Sequence, residues 1–477
     1  MSDEELRSRL AAQRIAFDAG PPDHGRRMEA LATLRDGLRA QEADLARALD
    51  EDFGGRSADE TRMLELFPLL DQIADARRNL KGWMRRRRVR STWFLWPSRA
   101  FYQYQPLGVV GVIGAWNYQL LLTLGPLVDA LAAGNHVMVK PSERAPRAAA
   151  AIASLLADLF PPDYVTCVTG EIDVARSFSA LPFDHLIFTG SARAGRDVMR
   201  AAAANLTPVT LELGGKSPAI VHESYPLDLA VRRIMTGKLY NAGQTCVAPD
   251  YALVPAGSEA AFEAEARRVV GASYPASSAG SDYTRVVDAA HYERLRALVS
   301  EAEAEGARIV ALGAEAEAAD DTRRSPDVGR VIAPTLVFHP TDDMRLMQEE
   351  IFGPVLPVLA YDTLEAAIDF VRARPHPLAL YYFDEDRRRV DHLLEHTLSG
   401  GVTVGDCVFH LAQRRLPFGG VGASGMGQYR GFDGFVTFSK KRGVMVQRRL
   451  ALTSLFRSPY DGRTRTIVRW LMRLAGR

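Results

Sequence analysis

The stretch VVGVIGAWNYQLLLTLGPLVDALAAGNHVMVK, residues 109–140, decides the fold. Val109–Gly114 is short, β-branched and bounded by glycine, the pattern of a strand buried on both faces. From about Leu121 to Ala133 the spacing turns helical and stops at Gly134-Asn135, after which His136–Lys140 reads as a second buried strand. Two such strands joined by a helix form a parallel pair with a right-handed crossover. Ala115-Trp116-Asn117-Tyr118 follows the first strand directly, at the carboxyl edge where open α/β sheets bind ligands.

The alternation continues downstream. An Ala/Leu-rich helix runs from Pro146 toward Phe160, followed by strand Val165–Thr169, helix Asp173–Ser179, strand His185–Phe188 and helix Ala194–Asn205. Repetition at this length makes the fold class α/β with a parallel sheet. Upstream, Leu31, Leu34, Leu38, Leu45 and Leu49 carry a helical period through the first 83 residues, predicting helices that pack on that sheet. Arg85–Arg88 with Arg90 reads as a solvated helix end, and Phe101–Gln105 as a strand. Past Asp250 the alternation resumes, with a helix near Ala297–Gly306, a loop near Ala319–Val328, a strand at Gly400–Val404 and a glycine-dense loop at Leu416–Gly427.

The 477 residues exceed one hydrophobic core, so two or three domains are expected. Fifty-nine basic and 58 acidic residues leave a net charge of +1, which gives no reason to expect nucleic acid as a partner. Three cysteines, Cys167, Cys246 and Cys407, are too few for a disulfide framework and fit a reducing compartment. There is no CxxC or His cluster for a metal, so none is expected. The first twenty residues lack the apolar core of a signal peptide, and the expected location is cytoplasmic.

The candidate chemistry lies in Thr207–Asp250. Glu212 stands between an apolar run and Gly214-Gly215, and Cys246 closes the sequence Gly243-Gln244-Thr245. A cysteine thiolate is a strong nucleophile, and the acyl-thioester it forms needs a base-activated water to release it. Gly190-Ser191 at the start of a helix suits a phosphate or a plain helix cap, and Lys140 with Glu143 suits either a nucleotide's ribose and phosphates or a surface salt bridge. In the tail, Ile467, Val468, Leu471 and Leu474 share one helical face and Arg465, Arg469, Arg473 and Arg477 another. Docking on the protein's own body and peripheral contact with an acidic membrane both fit this pattern.

With these motifs in place, the chain resembles the aldehyde dehydrogenase superfamily from about Gln105 to about Lys441. The shared segments are GAWNY (114–118), VMVKPSE (137–143), FTGSARAG (188–195), LELGGKSP (211–218), NAGQTC (241–246), EEIFGPV (349–355) and PFGGVGASGMG (417–427). GQTCVAPDY and NLTPVTLELGGKSP are similar to the class-three branch, and within it to bacterial coniferyl aldehyde dehydrogenases. The resemblance implies a Rossmann-like NAD(P)-binding domain (1–89 and 106–210), an α/β catalytic domain (211–422), a small β oligomerisation arm (90–105 and 423–450) and the basic tail (451–477). A homodimer is the implied assembly.

It also implies roles. Cys246 is the nucleophile, Glu212 the general base, and Asn117 with the Cys246 N–H the oxyanion donors. Lys140, Glu143, Gly190, Ser191, Glu350 and Phe352 hold the cofactor, with NAD favoured and NADP accepted. Trp116, Tyr118 and Tyr240 are expected along the substrate channel for a hydrophobic or aromatic aldehyde. Long-chain aliphatic aldehydes are the nearest alternative substrate, and transfer of the acyl group to CoA is the alternative chemistry, against which Glu212 argues. The family commonly carries proline where Ala115 and Gln119 stand, so a looser Asn117 loop is expected. Gly405 precedes Asp406 where relatives often show Asn-Asp.

Overall fold

The computed structural model describes residues 1–274, 282–313, 329–449, 452–453, 458 and 460–475. The expected loop near Ala319–Val328 and the last tail arginine, Arg477, lie outside the described residues. Among the described residues, three sheets organise the chain. The first has six strands in the order Gly425–Met426, Val209–Glu212, His185–Thr189, Val109–Ile113, His136–Lys140, Val165–Cys167, all parallel except the first. Its centre is the unit read from residues 109–140, and every residue of Val109–Ile113 and His136–Lys140 is buried, as a sheet covered on both faces requires.

The second sheet has seven strands in the order Arg308–Ala311, Thr335–Phe338, Val355–Tyr361, Tyr251–Pro255, Pro218–Val221, Ala379–Phe383, Gly401–Val404; only its first pair is antiparallel. A third, antiparallel sheet joins Arg87–Val89, Arg99–Pro106 and Ser439–Val446. Two expectations shift here. The basic run at Arg85–Arg88 is not a helix end, because the helix stops at Trp83 and Arg87–Val89 pairs with Ala100–Tyr102. Arg86 donates to Gln103 and lies over the Phe101 ring at 5.1 Å. Residues 423–438, expected in the arm, instead add Gly425–Met426 to the edge of the first sheet and a helix, Gly431–Thr437, that packs on helices Phe67–Trp83 and Gln119–Ala133.

All fifteen residues of helix Gln119–Ala133 are buried, between the first sheet and the N-terminal helices. Truncating a fully buried leucine here, such as Leu124 or Leu127, costs about 2–5 kcal/mol. Its N-terminus carries no side-chain cap of its own. The missing acceptor comes from Glu65, whose Oε2 takes the N–H of Leu120 at 2.8 Å and of Leu121 at 3.2 Å. Glu65 sits in a π-helical turn, Arg62–Leu66, inserted between two α-helices. Such turns recur near functional sites because they redirect a side chain without ending the helix.

Candidate active site

Cys246 lies in a loop that reverses sharply after helix Leu227–Leu239. Asn241 and Ala242 have φ of 53° and 51°, a left-handed conformation that side chains rarely take, and Gly243 follows at 75°. A Cβ on Gly243 would fall on the Gly353 carbonyl, so the cysteine loop rests directly against the Phe352–Pro354 segment. Polar side chains hold the turn. Gln244 donates to the carbonyls of Asn241 (2.9 Å) and Arg285 (3.0 Å) and accepts from Val287 (3.0 Å). Asn241 donates to the carbonyls of Asn117 (3.0 Å) and Gln244 (3.1 Å). Glu60 accepts from the Asn241 N–H at 2.6 Å.

Asn117 is 3 % exposed and donates from its side-chain amide to the Gln244 carbonyl at 3.0 Å. Its own carbonyl also receives Arg56 at 3.1 Å. Arg56 is paired with Glu65 at 3.0 Å, and both side chains are fully buried. One buried ion pair therefore fixes the Asn117 loop through Arg56 and the following helix through Glu65. Neither residue was singled out from the sequence, since an Arg and a Glu nine apart in a helical region carry no local signal of a shared role.

Cys246 and Glu212 line one cavity of about 620 Å³ of empty space, partly open to solvent. Its walls are largely aliphatic, from Leu64, Leu121, Leu122, Leu378, Val408 and Leu411, with rings from Tyr118, Tyr240, Phe418 and Tyr429. Tyr118 and Tyr240, two of the residues expected along a substrate channel, line this cavity. Trp116 does not line this cavity; it packs edge-on to Phe352 at 5.4 Å and His291 at 5.1 Å, drawn there by the aromatic surfaces beyond the cysteine loop.

Glu212 ends its strand, and among the described residues neither carboxylate oxygen has a hydrogen-bond partner. Burial raises its pKa well above the usual carboxylate value, with the Arg430 charge opposing. Burial likewise pushes the Cys246 thiol up to about 12, and the charges of Glu350 and Glu212 add to the rise. Arg430, on the cavity wall, is a further residue the sequence did not reveal. It is held at φ 83°, donates to Leu411 at 2.6 Å and lies over Phe418 at 4.6 Å.

The candidate cofactor residues fall on the neighbouring strand ends. Lys140, fully buried, donates to Glu143 at 2.8 Å and to the Pro141 carbonyl at 3.1 Å. Desolvation is the largest single influence and works against ionised Glu143, but the Lys140 hydrogen bond and charge, a backbone hydrogen bond and the Arg144 charge together outweigh it and the pKa falls. Ser191 caps the helix Ala192–Ala203, accepting from Ala194 at 3.3 Å, and Gly190 donates to the Glu212 carbonyl at 3.0 Å. The positive end of that helix therefore lies beside the strand that ends in Glu212. Glu350 lies against Gly214, where a Cβ would overlap its carboxylate. Burial first and the Asp250 charge second raise Glu350 to about 8. Lys216 pairs with Asp250 and donates to the carbonyls of Leu346 (2.8 Å) and Glu349 (3.0 Å), which fixes the Glu350 segment. Phe352 has φ 55°, strain of roughly 1–3 kcal/mol that the packing must hold.

A buried thiol and an unpartnered buried carboxylate on one apolar cavity, beside a serine-capped helix, a paired Lys–Glu and a glycine cradle closed by a second glutamate, form a donor set that fits a dinucleotide and an acyl-transferring cysteine. The comparisons with known proteins agree. The probable coniferyl aldehyde dehydrogenase of Pseudomonas aeruginosa is 48% identical over 96% of this chain and 94% of its own length. The coniferyl aldehyde dehydrogenase of Pseudomonas sp. strain HR199 is 41% identical over 96% and 94%. The substrate-bound structure of Staphylococcus aureus AldH superposes with a TM-score of 0.91 at 36% identity, covering 98% of this chain and 99% of that one. Residues 8–444 match the aldehyde dehydrogenase family, whose enzymes use NAD(P), and the chain that carries this cavity belongs to that family.

Proposed function

We propose that this aldehyde dehydrogenase oxidises a hydrophobic aromatic aldehyde of the coniferyl type to its acid. The observation that carries the reading is the cavity: a largely apolar cavity lined by Tyr118, Tyr240, Phe418 and Tyr429 also holds Cys246 and Glu212 on its wall. Rings of this kind suit a planar aromatic substrate, and the two coniferyl aldehyde dehydrogenase relatives support the same class.

The residues act in turn. The Cys246 sulfur, as thiolate, bonds to the aldehyde carbon, and the carbonyl oxygen takes the negative charge. One Asn117 amide hydrogen and the Cys246 N–H stabilise that oxyanion, each worth about 3 kcal/mol in the transition state. Bound NAD(P) supplies the hydride acceptor, so that a thioester remains on Cys246. Glu212 then takes a proton from water, the hydroxide adds to the thioester, and the C–S bond breaks to return the thiolate and release the carboxylic acid. Arg430 facing Glu212 helps hold the carboxylate in its ionised form for that step.

Lys140 and Glu143 hold the adenosine ribose, Gly190 and Ser191 the pyrophosphate at the helix N-terminus, and Glu350 with Phe352 the nicotinamide ribose. The ionised Glu143 repels a 2′-phosphate, which favours NAD, with NADP accepted more weakly. The experiment is initial-rate NADH and NADPH formation against cinnamyl-type, benzyl and C6–C16 aliphatic aldehydes. Preference for long aliphatic chains overturns the aromatic assignment.

The arm supports a homodimer, since its outer strands Arg87–Val89 and Ser439–Val446 present open, mostly exposed edges for pairing. A monomer by light scattering overturns this. The cytoplasm remains the proposed location, and among the described residues no helix is long and apolar enough to cross a membrane. Segments 85–106 and 439–477 together hold 17 Lys and Arg against one Asp in a chain of net charge +1. On that surface Trp93, Trp96, Trp470 and Met472 are exposed, and Trp93 meets Trp470 edge-on at 6.3 Å. On helix Gly462–Ala475, Ile467 and Leu471 are partly buried while Trp470 and Met472 are exposed. Tryptophan beside arginine suits an anionic phospholipid surface, and the positive patch complements its charge. Co-sedimentation with phosphatidylglycerol vesicles, lost on truncation after Leu452 and absent with phosphatidylcholine, is the expected result. Equal recovery of the truncated chain removes the contact.

A further inference from the structure

We infer that Gln119 is a positioning residue that couples the cofactor-binding turn to the Asn117 loop, replacing by a hydrogen-bonded tether the restraint that proline would supply; the inference rests on the proposed roles of Asn117, Lys140 and Glu143. Gln119 is fully buried at the first turn of helix Gln119–Ala133, two residues after Asn117. Its Nε2 donates to the carbonyl of Ala145 at 3.0 Å and of Ser142 at 3.4 Å. Those carbonyls belong to the turn that follows Lys140, and Glu143 lies between them, paired to Lys140 at 2.8 Å. One amide group therefore spans from the loop bearing the oxyanion donor to the turn bearing the nucleotide-binding ion pair.

Proline at this position would fix φ of the loop but has no donor to reach Ala145 or Ser142. Glutamine leaves the backbone freer and anchors it by contact instead. The anchor works with the other restraint on the loop, Arg56 donating to the Asn117 carbonyl and Glu65 capping Leu120 and Leu121. Those bonds tie the loop to the N-terminal helices, whereas Gln119 ties it to segment 142–145. Among the described residues the Gln119 Oε1 has no hydrogen-bond partner, so the amide donor is the functional end of this side chain. A buried amide oxygen left in this state is tolerated because the donor end gains two carbonyls.

A movement of the Lys140–Glu143 turn on nucleotide binding passes to Asn117 through this contact. Two substitutions separate the tether from the restraint. Gln119→Leu keeps size and burial and removes the donor; it is expected to weaken NAD binding by about fivefold in fluorescence titration and to lower kcat about tenfold, with the aldehyde KM within twofold of the parent. Gln119→Pro restores backbone restraint without the donor; it is expected to recover most of kcat while NAD binding stays as weak as in the leucine variant. Thermal unfolding on the same samples gives the folded fraction used to normalise each rate. The inference is overturned if Gln119→Leu, so normalised, keeps both NAD affinity and kcat within twofold of the parent, or if Gln119→Pro recovers NAD affinity along with kcat. Absence of NAD(P) reduction by the parent protein with every aldehyde would instead remove the underlying catalytic reading, which NAD titration of the same variants does not depend on.

Discussion

The Asn117 side-chain amide donates to the Gln244 carbonyl at 3.0 Å, so the candidate oxyanion donor is bonded to the very loop that carries the nucleophile. An amide nitrogen has two hydrogens, and this bond uses one while aligning the other. Replacing Asn117 by Ala removes both the alignment and the donor. The expected loss in kcat is about 10²–10³-fold, the usual cost of one oxyanion donor, with little change in NAD affinity. Steady-state kinetics beside an NAD titration check this, and a loss of NAD binding equal to the loss of rate contradicts it.

Glu212 is buried without a partner and its pKa is raised, so its proton comes off above the usual carboxylate range. Release of the thioester should therefore speed up with rising pH above the ordinary carboxylate range, since only the ionised form accepts a proton from water. In Glu212→Gln the first turnover survives and later ones do not. Rapid mixing is expected to show a burst of about one NADH per active site followed by a steady rate roughly 10²–10⁴-fold lower. A uniform slowing with no burst argues against the base role.

The Cys246 thiol, raised to about 12 chiefly by burial, is protonated at neutral pH in the ligand-free protein. Alkylation of Cys246 by iodoacetamide is expected to rise about tenfold per pH unit between pH 6 and 7. As Glu350 ionises near 8, its new negative charge holds the thiol up further and the slope flattens there. Glu350→Gln removes that charge, so its profile matches the parent at pH 6–7, stays straight through pH 8 and lies above the parent only beyond it. Mass-spectrometric rates at Cys246 decide between the two shapes.

Glu350 also leaves a mark on stability. Its folded pKa of about 8 lies above the ordinary 4.5, so between these values the folded chain holds a proton that the unfolded chain has released. The group's effect is neutral below pH 4.5, and its contribution turns progressively unfavourable as pH rises toward 8. Urea midpoints of Glu350→Gln relative to the parent are expected to increase from pH 5 to pH 8; a flat difference excludes a raised Glu350.

Breaking the Arg56–Glu65 pair from one side strands a buried charge. Arg56→Met is expected to destabilise by about 3–5 kcal/mol, whereas Arg56→Met with Glu65→Leu costs less than the two single changes summed. Since Glu65 also caps Leu120 and Leu121, the double variant keeps a residual loss of about 1–2 kcal/mol and a lowered kcat. A double-mutant cycle on chemical denaturation measures both terms.

Residues 109–140 alone determined the centre of the first sheet, because a β-branched run, a helical period and a glycine stop are local patterns that survive any packing. Cys246, Glu212 and the Lys140–Glu143 pair could be named as candidates because each lies in a segment shared with the aldehyde dehydrogenase family, since a lone cysteine or a glutamate before glycine carries little signal by itself. Tertiary structure decided what depends on long-range contact. It turned Trp116 away from the cavity and toward Phe352, made strand from the arginine run at Arg87–Val89, and moved Gly425–Met426 onto the edge beside Glu212. It also brought Arg56, Glu65 and Arg430 to the site from helices and turns with no motif of their own, and gave Gln119, visible in the sequence only as a departure from the family's proline, its contacts with Ser142 and Ala145. Their roles come from burial beside carbonyls and charges distant in sequence, and such pairings exist only once the chain has closed around them.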